Sequence, residues 1–237
     1  MRTGLMALII AFSTLSARAS ELIYDKFTPL VQYRHTNSDN DLAQKFLVEI
    51  EKVPDPIQKL LEERDGKIVI FDGFLTTNPE FYKIKDQIPP GCSNNYTFSD
   101  LTAGYHISSK TVFLGIYRPK YEMKDPSLHE YGHCFDFIIG EYLYHKPLSK
   151  IHTIPDIIKK EPFDYHYLNR PREYIANSFE LFYRGEETRK SLKENQPTIH
   201  KFLSDIESTI IKKTNAKKQQ TKVYNQYPMR GIRIFRR

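Results

Sequence analysis

A short motif, His-Glu-Tyr-Gly-His at residues 129–133, constrains this chain more than any other feature of its sequence. The two histidines are four residues apart, so on a helix they lie on one face and both imidazoles can reach one ion. Neutral imidazole nitrogens suit Zn²⁺, and the glutamate between them can take a proton from a water molecule that the metal activates. The motif therefore predicts a helix that holds a zinc site, with His129 and His133 as ligands and Glu130 as general base.

The sequence around the motif is typical of a long helix packed against a core. Apolar residues recur at helical spacing and form one stripe: Leu128, Tyr131, Phe135, Ile138, Ile139 and Tyr142. We expect the helix to start with Asp125 as N-cap and Pro126 in the first turn, and to end near Tyr144. Ser127 and Glu130 also match a capping box, which would tie Glu130 to the helix start. The start at Asp125 leaves Glu130 free.

A catalytic zinc ion needs a third protein ligand and one open position. A second amphipathic helix is predicted from Pro171 to about Tyr183, with Gly185 ending it. Glu173 and Glu180 lie on one face of this helix, so either of them can complete a site of two histidines and one glutamate.

The other segments predict helices before and after a small sheet. Residues rich in β-branched side chains indicate a strand at Lys67–Phe71 and a hairpin at Gly104–Leu114. Helical spacing indicates two early helices, Leu42–Val53 and one from Ile57 to near Asp65, and one late helix, Ile199–Ile211. With 237 residues, 40% of them hydrophobic, the chain can bury one sizeable core. The order predicts an α+β fold of helices with a small mixed sheet, rather than a repeating βαβ chain.

The N-terminus has the layout of a cleaved signal peptide. Arg2 precedes an apolar run, Leu5–Ala17, that is shorter than the roughly 20 residues of a membrane-spanning helix. Ala17-Arg18-Ala19 is a small-x-small site, so we expect cleavage before Ser20 and a secreted or periplasmic protein. The expected organisation is a signal peptide at residues 1–19, a catalytic domain at 20–211 and a basic tail at 212–237.

The tail carries lysine and arginine but no acidic residue, and it lacks helical periodicity. The whole chain has a formal net charge of +6 at pH 7. A mild positive balance of this kind suggests an acidic surface or partner without naming one. The tail is therefore a candidate for weak association with anionic surfaces, and no nucleic-acid partner is expected.

Two further side chains near the motif have competing interpretations. Cys134 and Cys92 are an even pair in an exported chain, so they either form a disulfide or remain buried thiols. Asp136 lies one turn after His133, so it either orients an imidazole or is a surface residue.

The two helix motifs together resemble a known family. His-Glu-Tyr-Gly-His-Cys-Phe-Asp at 129–136, with Glu-Tyr-Ile-Ala-Asn-Ser-Phe at 173–179, resembles the anthrax lethal factor-like zinc metallopeptidases. The chain is also similar to the small secreted Pro-Pro endopeptidases related to them. The resemblance covers about residues 41–211 and implies a zincin-type fold, one zinc ion per chain and hydrolysis of peptide bonds. It implies that Glu173, rather than Glu180, is the third ligand beside His129 and His133, and that Glu130 is the base.

Two positions depart from the family pattern. The second glutamate of the later motif is Asn177 here, at a position expected to support the ligands. The family also has a tyrosine near the metal, which matches His166 in an ungapped count from Glu173 and Tyr165 when one extra residue is allowed; Tyr167 is a third option. We take Tyr165 as the catalytic assistant, because a phenol stays protonated at neutral pH and can donate a hydrogen bond to an oxyanion.

The leading hypothesis is a secreted zinc endopeptidase that acts on a protein or peptide substrate. The alternative is a degenerate zincin that binds an extracellular partner without cleaving it. A third reading makes the basic tail the functional part, as an anchor to anionic surfaces. The enzyme is favoured because the ligand and base residues are intact at His129, Glu130, His133 and Glu173. The alternative is based on His166 and Asn177, where the sequence departs from the family pattern.

Overall fold

The computed structural model describes residues 31–34, 41–89, 96–116, 125–163 and 168–226, and of 220–226 only the backbone. The predicted signal peptide and the last part of the tail, 227–237, lie outside these ranges. Within them, no helix combines the length and the apolar character that crossing a membrane requires.

A four-stranded mixed sheet has the strand order β1-β2-β4-β3. Strand β2 (Lys67–Phe71) pairs in parallel with β1 (Val31–Arg34) and with β4 (Thr111–Gly115). Strand β3 (Ala103–His106) pairs antiparallel with β4, which confirms the predicted hairpin. Strand β1 was not predicted, because four residues carry little local signal and its partner lies more than thirty residues further along the chain.

The alternation of side chains along the strands divides the core between the two faces of the sheet. One face belongs to the main core with the helices, through Ile68, Ile70, Val112 and Leu114. The other face forms a smaller cluster of Val69, Phe71, Leu75, Phe81 and Phe113. The helices are α1 (Asp41–Glu51), α2 (Asp55–Glu63), α3 (Pro79–Tyr82), α4 (Ser127–Tyr144), α5 (Ile154–Lys160), α6 (Pro171–Arg184), α7 (Glu186–Asn195) and α8 (Pro197–Gln226).

Helices α4 and α6 carry the two motifs and pack directly against each other. Gly132 permits their close approach, since a Cβ atom at this position would lie 2.9 Å from Ala176 Cα. The rings of Phe135 and Phe179 lie 4.8 Å apart between the same helices. This crossing places the motif histidines opposite the first turn of α6, which contains Glu173.

The predicted N-cap is wrong by one residue, since Pro126 occupies the N-cap position of α4 and Asp125 precedes it. The helix begins at Ser127 rather than at Pro126, and Asp125 Oδ1 accepts a hydrogen bond from the Ser127 amide at 2.9 Å. The Ser127 hydroxyl is buried and has no hydrogen-bond partner in the described part of the chain. The alternative capping box between Ser127 and Glu130 is therefore absent, and Glu130 is not held at the helix start.

The expectation of a non-helical tail after residue 211 is wrong for the part that is described. Helix α8 continues past Ile211 to Gln226. Its C-terminal half lacks an apolar stripe, but lysine, alanine and glutamine have good intrinsic helix propensity and extend a helix that already exists. Helical periodicity of apolar residues was therefore too strict a criterion for this segment.

Candidate metal centre

Three side chains from the two motifs meet at one point. Glu173 Oε2 lies 3.2 Å from His129 Nε2, and Glu173 Oε1 lies 3.5 Å from His133 Nε2. The two imidazole rings have centroids 5.0 Å apart and stand nearly perpendicular. One ligand atom from each of the three residues lies within 4.8 Å of the others. The structure thus brings together the three predicted ligands, of which His129 and Glu173 lie 44 residues apart in the sequence.

The donor set and its spacing fit a zinc ion. Two imidazole nitrogens and one carboxylate are a common ligand set of catalytic zinc. Ligand atoms at about 2.1 Å from a tetrahedral ion lie roughly 3.4 Å from one another. The two oxygens of Glu173 lie 3.2 Å and 3.5 Å from the histidine Nε2 atoms, close to that separation. Three protein ligands also leave the fourth position for water or substrate.

Contacts within the cluster change the protonation of two of these groups. Burial favours a lower pKa for His129, but the facing carboxylates of Glu173 and Glu180 outweigh burial and raise the pKa to about 10. Burial favours a higher pKa for Glu173, but hydrogen bonds from His129 and His133 outweigh it and hold the pKa well below its usual range. The facing carboxylates therefore favour a positive charge at this cluster, whether a proton or a metal ion, since the two compete for the same donors.

Glu130 is half-buried in the first turn of α4, between the two motif histidines in sequence. Burial raises the pKa of its carboxyl group, and the nearby charges of Glu173 and Glu180 raise it further against the opposing effect of the histidines. A carboxylate with a raised pKa is a stronger base at neutral pH. This environment suits the predicted role of Glu130 as a proton acceptor.

Glu180, the alternative third ligand, lies on the other side of His129. Its Oε2 atom is 3.5 Å from His129 Nδ1, and its Oε1 atom pairs with Arg184 Nη2 at 2.8 Å. Glu173 instead faces the Nε2 atoms of both histidines. The geometry therefore favours Glu173 at the ligand position and leaves Glu180 behind the imidazole of His129.

Sequence reasoning missed Arg184. The spacing of four residues between Glu180 and Arg184 is the signal that could have found it, because such residues are neighbours on a helix. Arg184 Nη2 also donates a hydrogen bond to the Asp125 carbonyl oxygen at 3.1 Å. Arg184 therefore connects α6 to Asp125, which lies just before the first turn of α4.

Asp136 is not a surface residue. It is 3% exposed, and its carboxylate accepts hydrogen bonds from the Ser149 amide at 2.7 Å and the Ser149 hydroxyl at 2.8 Å. The surface interpretation is therefore wrong, and in the described part of the chain the hydrogen bonds of Asp136 give no support to a role in orienting an imidazole. The hydrogen bonds of its carboxylate link α4 to the 3₁₀ turn at Leu148–Lys150.

Cys134 is a free thiol buried in the main core, and its burial raises its pKa to about 12. The hydroxyl group of Tyr105, on strand β3, lies next to this thiol. Cys92 lies outside the described residues. The free state of Cys134 gives the predicted disulfide no support and agrees with the alternative of a buried thiol.

The remaining sequence candidates have different outcomes. Tyr165, His166 and Tyr167 lie outside the described residues, so the choice of Tyr165 stays a prediction. Asn177 lies half-buried on α6, between Glu173 and Glu180 in sequence.

Comparison with known proteins gives concordant matches over most of the chain. The family model described as anthrax toxin lethal factor, N- and C-terminal domain, matches residues 18–206. A protein named Pro-Pro endopeptidase from Clostridioides difficile (strain 630) is 23% identical over 188 residues, covering 77% of this chain and 83% of that protein. Another protein of that name, from Paenibacillus alvei, is 25% identical over 194 residues, covering 78% of this chain and 84% of that protein.

Solved structures agree with the fold. The structure of the Pro-Pro endopeptidase PPEP-2 from Paenibacillus alvei matches with a TM-score of 0.61 and 23% sequence identity. The match covers 78% of this chain and 99% of that chain. The predicted α+β class with a small mixed sheet is therefore confirmed both by the strand arrangement and by this neighbour.

Proposed function

The chain belongs to the family of the anthrax toxin lethal factor N- and C-terminal domain, and we propose that it is a secreted zinc endopeptidase. The observation that carries the proposal is the convergence of His129, His133 and Glu173 on one point beside Glu130. This ligand set with an adjacent carboxylate is one that supports metal-assisted peptide hydrolysis. The resemblance to proteins named Pro-Pro endopeptidase supports the same activity.

In the proposed mechanism, His129, His133 and Glu173 would hold the zinc ion. When bound, zinc supplies a Lewis acid that lowers the pKa of water and polarises a carbonyl group. Glu130 accepts the proton of the attacking water, for which its raised pKa is suited. The protonated Glu130 then delivers this proton to the leaving amine, which returns the carboxylate to its starting state.

Oxyanion stabilisation is assigned in this proposal to Tyr165. A phenol donates one hydrogen bond to the negative charge that develops on the carbonyl oxygen of the substrate. In the sequence, Tyr165 precedes the Glu173 helix by only a few residues.

Export through the signal peptide at residues 1–19 is part of the proposal, with a secreted or periplasmic mature protein. The proposed substrate is a protein or peptide. The non-catalytic alternative is less well supported, because Glu130 and all three ligand residues are present and three of their side chains converge. A binding protein has no need of a general base beside the metal ligands.

The decisive experiment is a digest of a peptide library by the purified mature protein, with and without a chelator. The library includes peptides with Pro-Pro bonds, since the relatives carry that name. We expect cleavage that the chelator abolishes and zinc restores, with one zinc ion per chain by elemental analysis. Glu173→Ala should lower zinc occupancy.

Absence of zinc after purification without chelator would overturn the metallopeptidase proposal. Loss of zinc in Glu180→Ala but not in Glu173→Ala would overturn the choice of third ligand. Zinc binding without cleavage of any peptide would favour the non-catalytic alternative.

A further inference from the structure

The two ring nitrogens of His129 face two different carboxylates. Nε2 lies 3.2 Å from Glu173 Oε2, on the side where His133 also approaches Glu173. Nδ1 lies 3.5 Å from Glu180 Oε2, on the opposite side of the ring. Because Nε2 points into the cluster, it is the nitrogen available to a metal, and Nδ1 is left for Glu180.

Glu180 is itself fixed in place. Its side chain is 11% exposed, and Arg184 Nη2 pairs with its Oε1 atom at 2.8 Å. The same Nη2 atom donates to the carbonyl oxygen of Asp125, and Lys52 Nζ donates to the carbonyl oxygen of Arg184. A continuous set of contacts therefore runs from His129 through Glu180 and Arg184 to the start of α4.

We propose that Glu180 is a positioning residue that holds the Nδ1–H tautomer and the ring orientation of His129, and that Arg184 aims the Glu180 carboxylate. A carboxylate that accepts the Nδ1 proton fixes which ring nitrogen is presented to the metal and makes that nitrogen a better donor. This inference rests on the metal site of the proposed function, and it adds two residues that the motifs do not contain.

Charge explains why Arg184 belongs to this arrangement. Glu130, Glu173 and Glu180 place three carboxylates around the two histidines, and the charges of Glu173 and Glu180 disfavour a negative charge on Glu130. Arg184 supplies a positive charge on the far side of Glu180, away from the ligand atoms. The positive charge of Arg184 offsets the negative charge of Glu180 without competing with a metal ion for the Nε2 atoms.

The test compares Glu180→Gln, which keeps the size of the side chain and removes its charge, with Glu187→Gln as a matched control. Glu187 is exposed on α7 and belongs to no part of the proposed site. The readouts are zinc affinity by competition with a chelating dye, and the absorption spectrum of the cobalt-substituted protein. Steady-state kcat and KM are measured on a peptide found in the library digest, and the Tm of the metal-free form reports on folding.

We expect Glu180→Gln to weaken zinc binding by roughly 10- to 100-fold, the range for losing such an outer partner. It should shift the cobalt spectrum and lower kcat with little change in KM, while the Tm of the metal-free protein stays near that of the control. Arg184→Gln should act in the same direction. The double variant should be no worse than Glu180→Gln alone, because Arg184 acts through Glu180.

Equal zinc affinity and an unchanged cobalt spectrum in Glu180→Gln and Glu187→Gln would overturn the positioning role and leave the proposed function intact. Additive losses in the double variant would overturn the part assigned to Arg184. If Glu180→Gln does not fold, Arg184→Gln carries the test with the same readouts. A wild-type protein that binds no zinc overturns the proposed function and this inference together.

Discussion

Gly132→Ala tests whether the close packing of α4 on α6 sets the geometry of the metal site. Gly132 lies in the motif between the two histidines but contributes no functional group. A Cβ atom there would lie 2.9 Å from Ala176 Cα, 3.0 Å from the Ala176 carbonyl oxygen and 3.2 Å from Phe179 Cβ. Two of these three contacts are with backbone atoms, which cannot rotate away as the end of a flexible side chain can.

The magnitude follows from these distances. An ordinary carbon–carbon contact is at least about 3.5 Å, so the helices must separate by roughly 0.6 Å at this point. Overpacking of this kind costs about 1–3 kcal/mol, and the gain in helix propensity from glycine to alanine offsets about 1 kcal/mol. We therefore expect a net destabilisation of up to about 2 kcal/mol, which lowers Tm by at most about 8 °C in a chain of this size.

The effect on the site should exceed the effect on stability. The histidines come from α4 and Glu173 from α6, so a separation of the helices acts directly on the distances between ligand atoms. A displacement approaching 1 Å costs up to about 100-fold in rate. We expect zinc affinity and kcat to fall by at least about 10-fold, in a variant that still unfolds cooperatively.

Gly185→Ala is the matched control. A Cβ atom at Gly185 meets no atom within 4 Å, and the backbone there is extended, so this substitution should be silent. Thermal unfolding of the metal-free forms and chelator competition for zinc give the two readouts. If Gly132→Ala matches Gly185→Ala in both, close packing at Gly132 does not determine the metal geometry.

Three further predictions address single groups. Glu130→Gln should retain zinc by elemental analysis and lose roughly 10²–10⁴-fold in kcat, and retained turnover would refute its role as base. Tyr165→Phe should lower kcat by roughly 10²–10³-fold with unchanged zinc content; a large loss only in His166→Ala, measured beside Tyr167→Phe, would move the role to the histidine. In the metal-free protein, the folded-state pKa of His129 is raised to about 10, above its unfolded value of about 6.5. Its contribution to stability should therefore be complete below pH 6.5 and be lost as pH rises to about 10, and a wild-type pH profile identical to that of His129→Gln would contradict this.

The features that the sequence alone determined are those set by local rules. The spacing of four between His129 and His133 places both on one helix face in any fold. The composition of Lys67–Phe71 indicated its strand, and Gly185 marked the end of α6 at Arg184. These predictions are confirmed because each depends on residues that are neighbours along the chain.

The tertiary structure alone decided which residues meet across the fold. Glu173 and Glu180 are equivalent by helical spacing, and only the crossing of α4 and α6 directs one to the Nε2 side and the other to the Nδ1 side of His129. The hydrogen bond from Arg184 to the Asp125 carbonyl oxygen and the one from the Ser149 amide to Asp136 likewise join separate elements. A local sequence pattern predicts which face of a helix a side chain occupies. Which other helix packs against that face depends on how whole elements pack together. For α4 and α6, this packing depends on the absence of a side chain at Gly132.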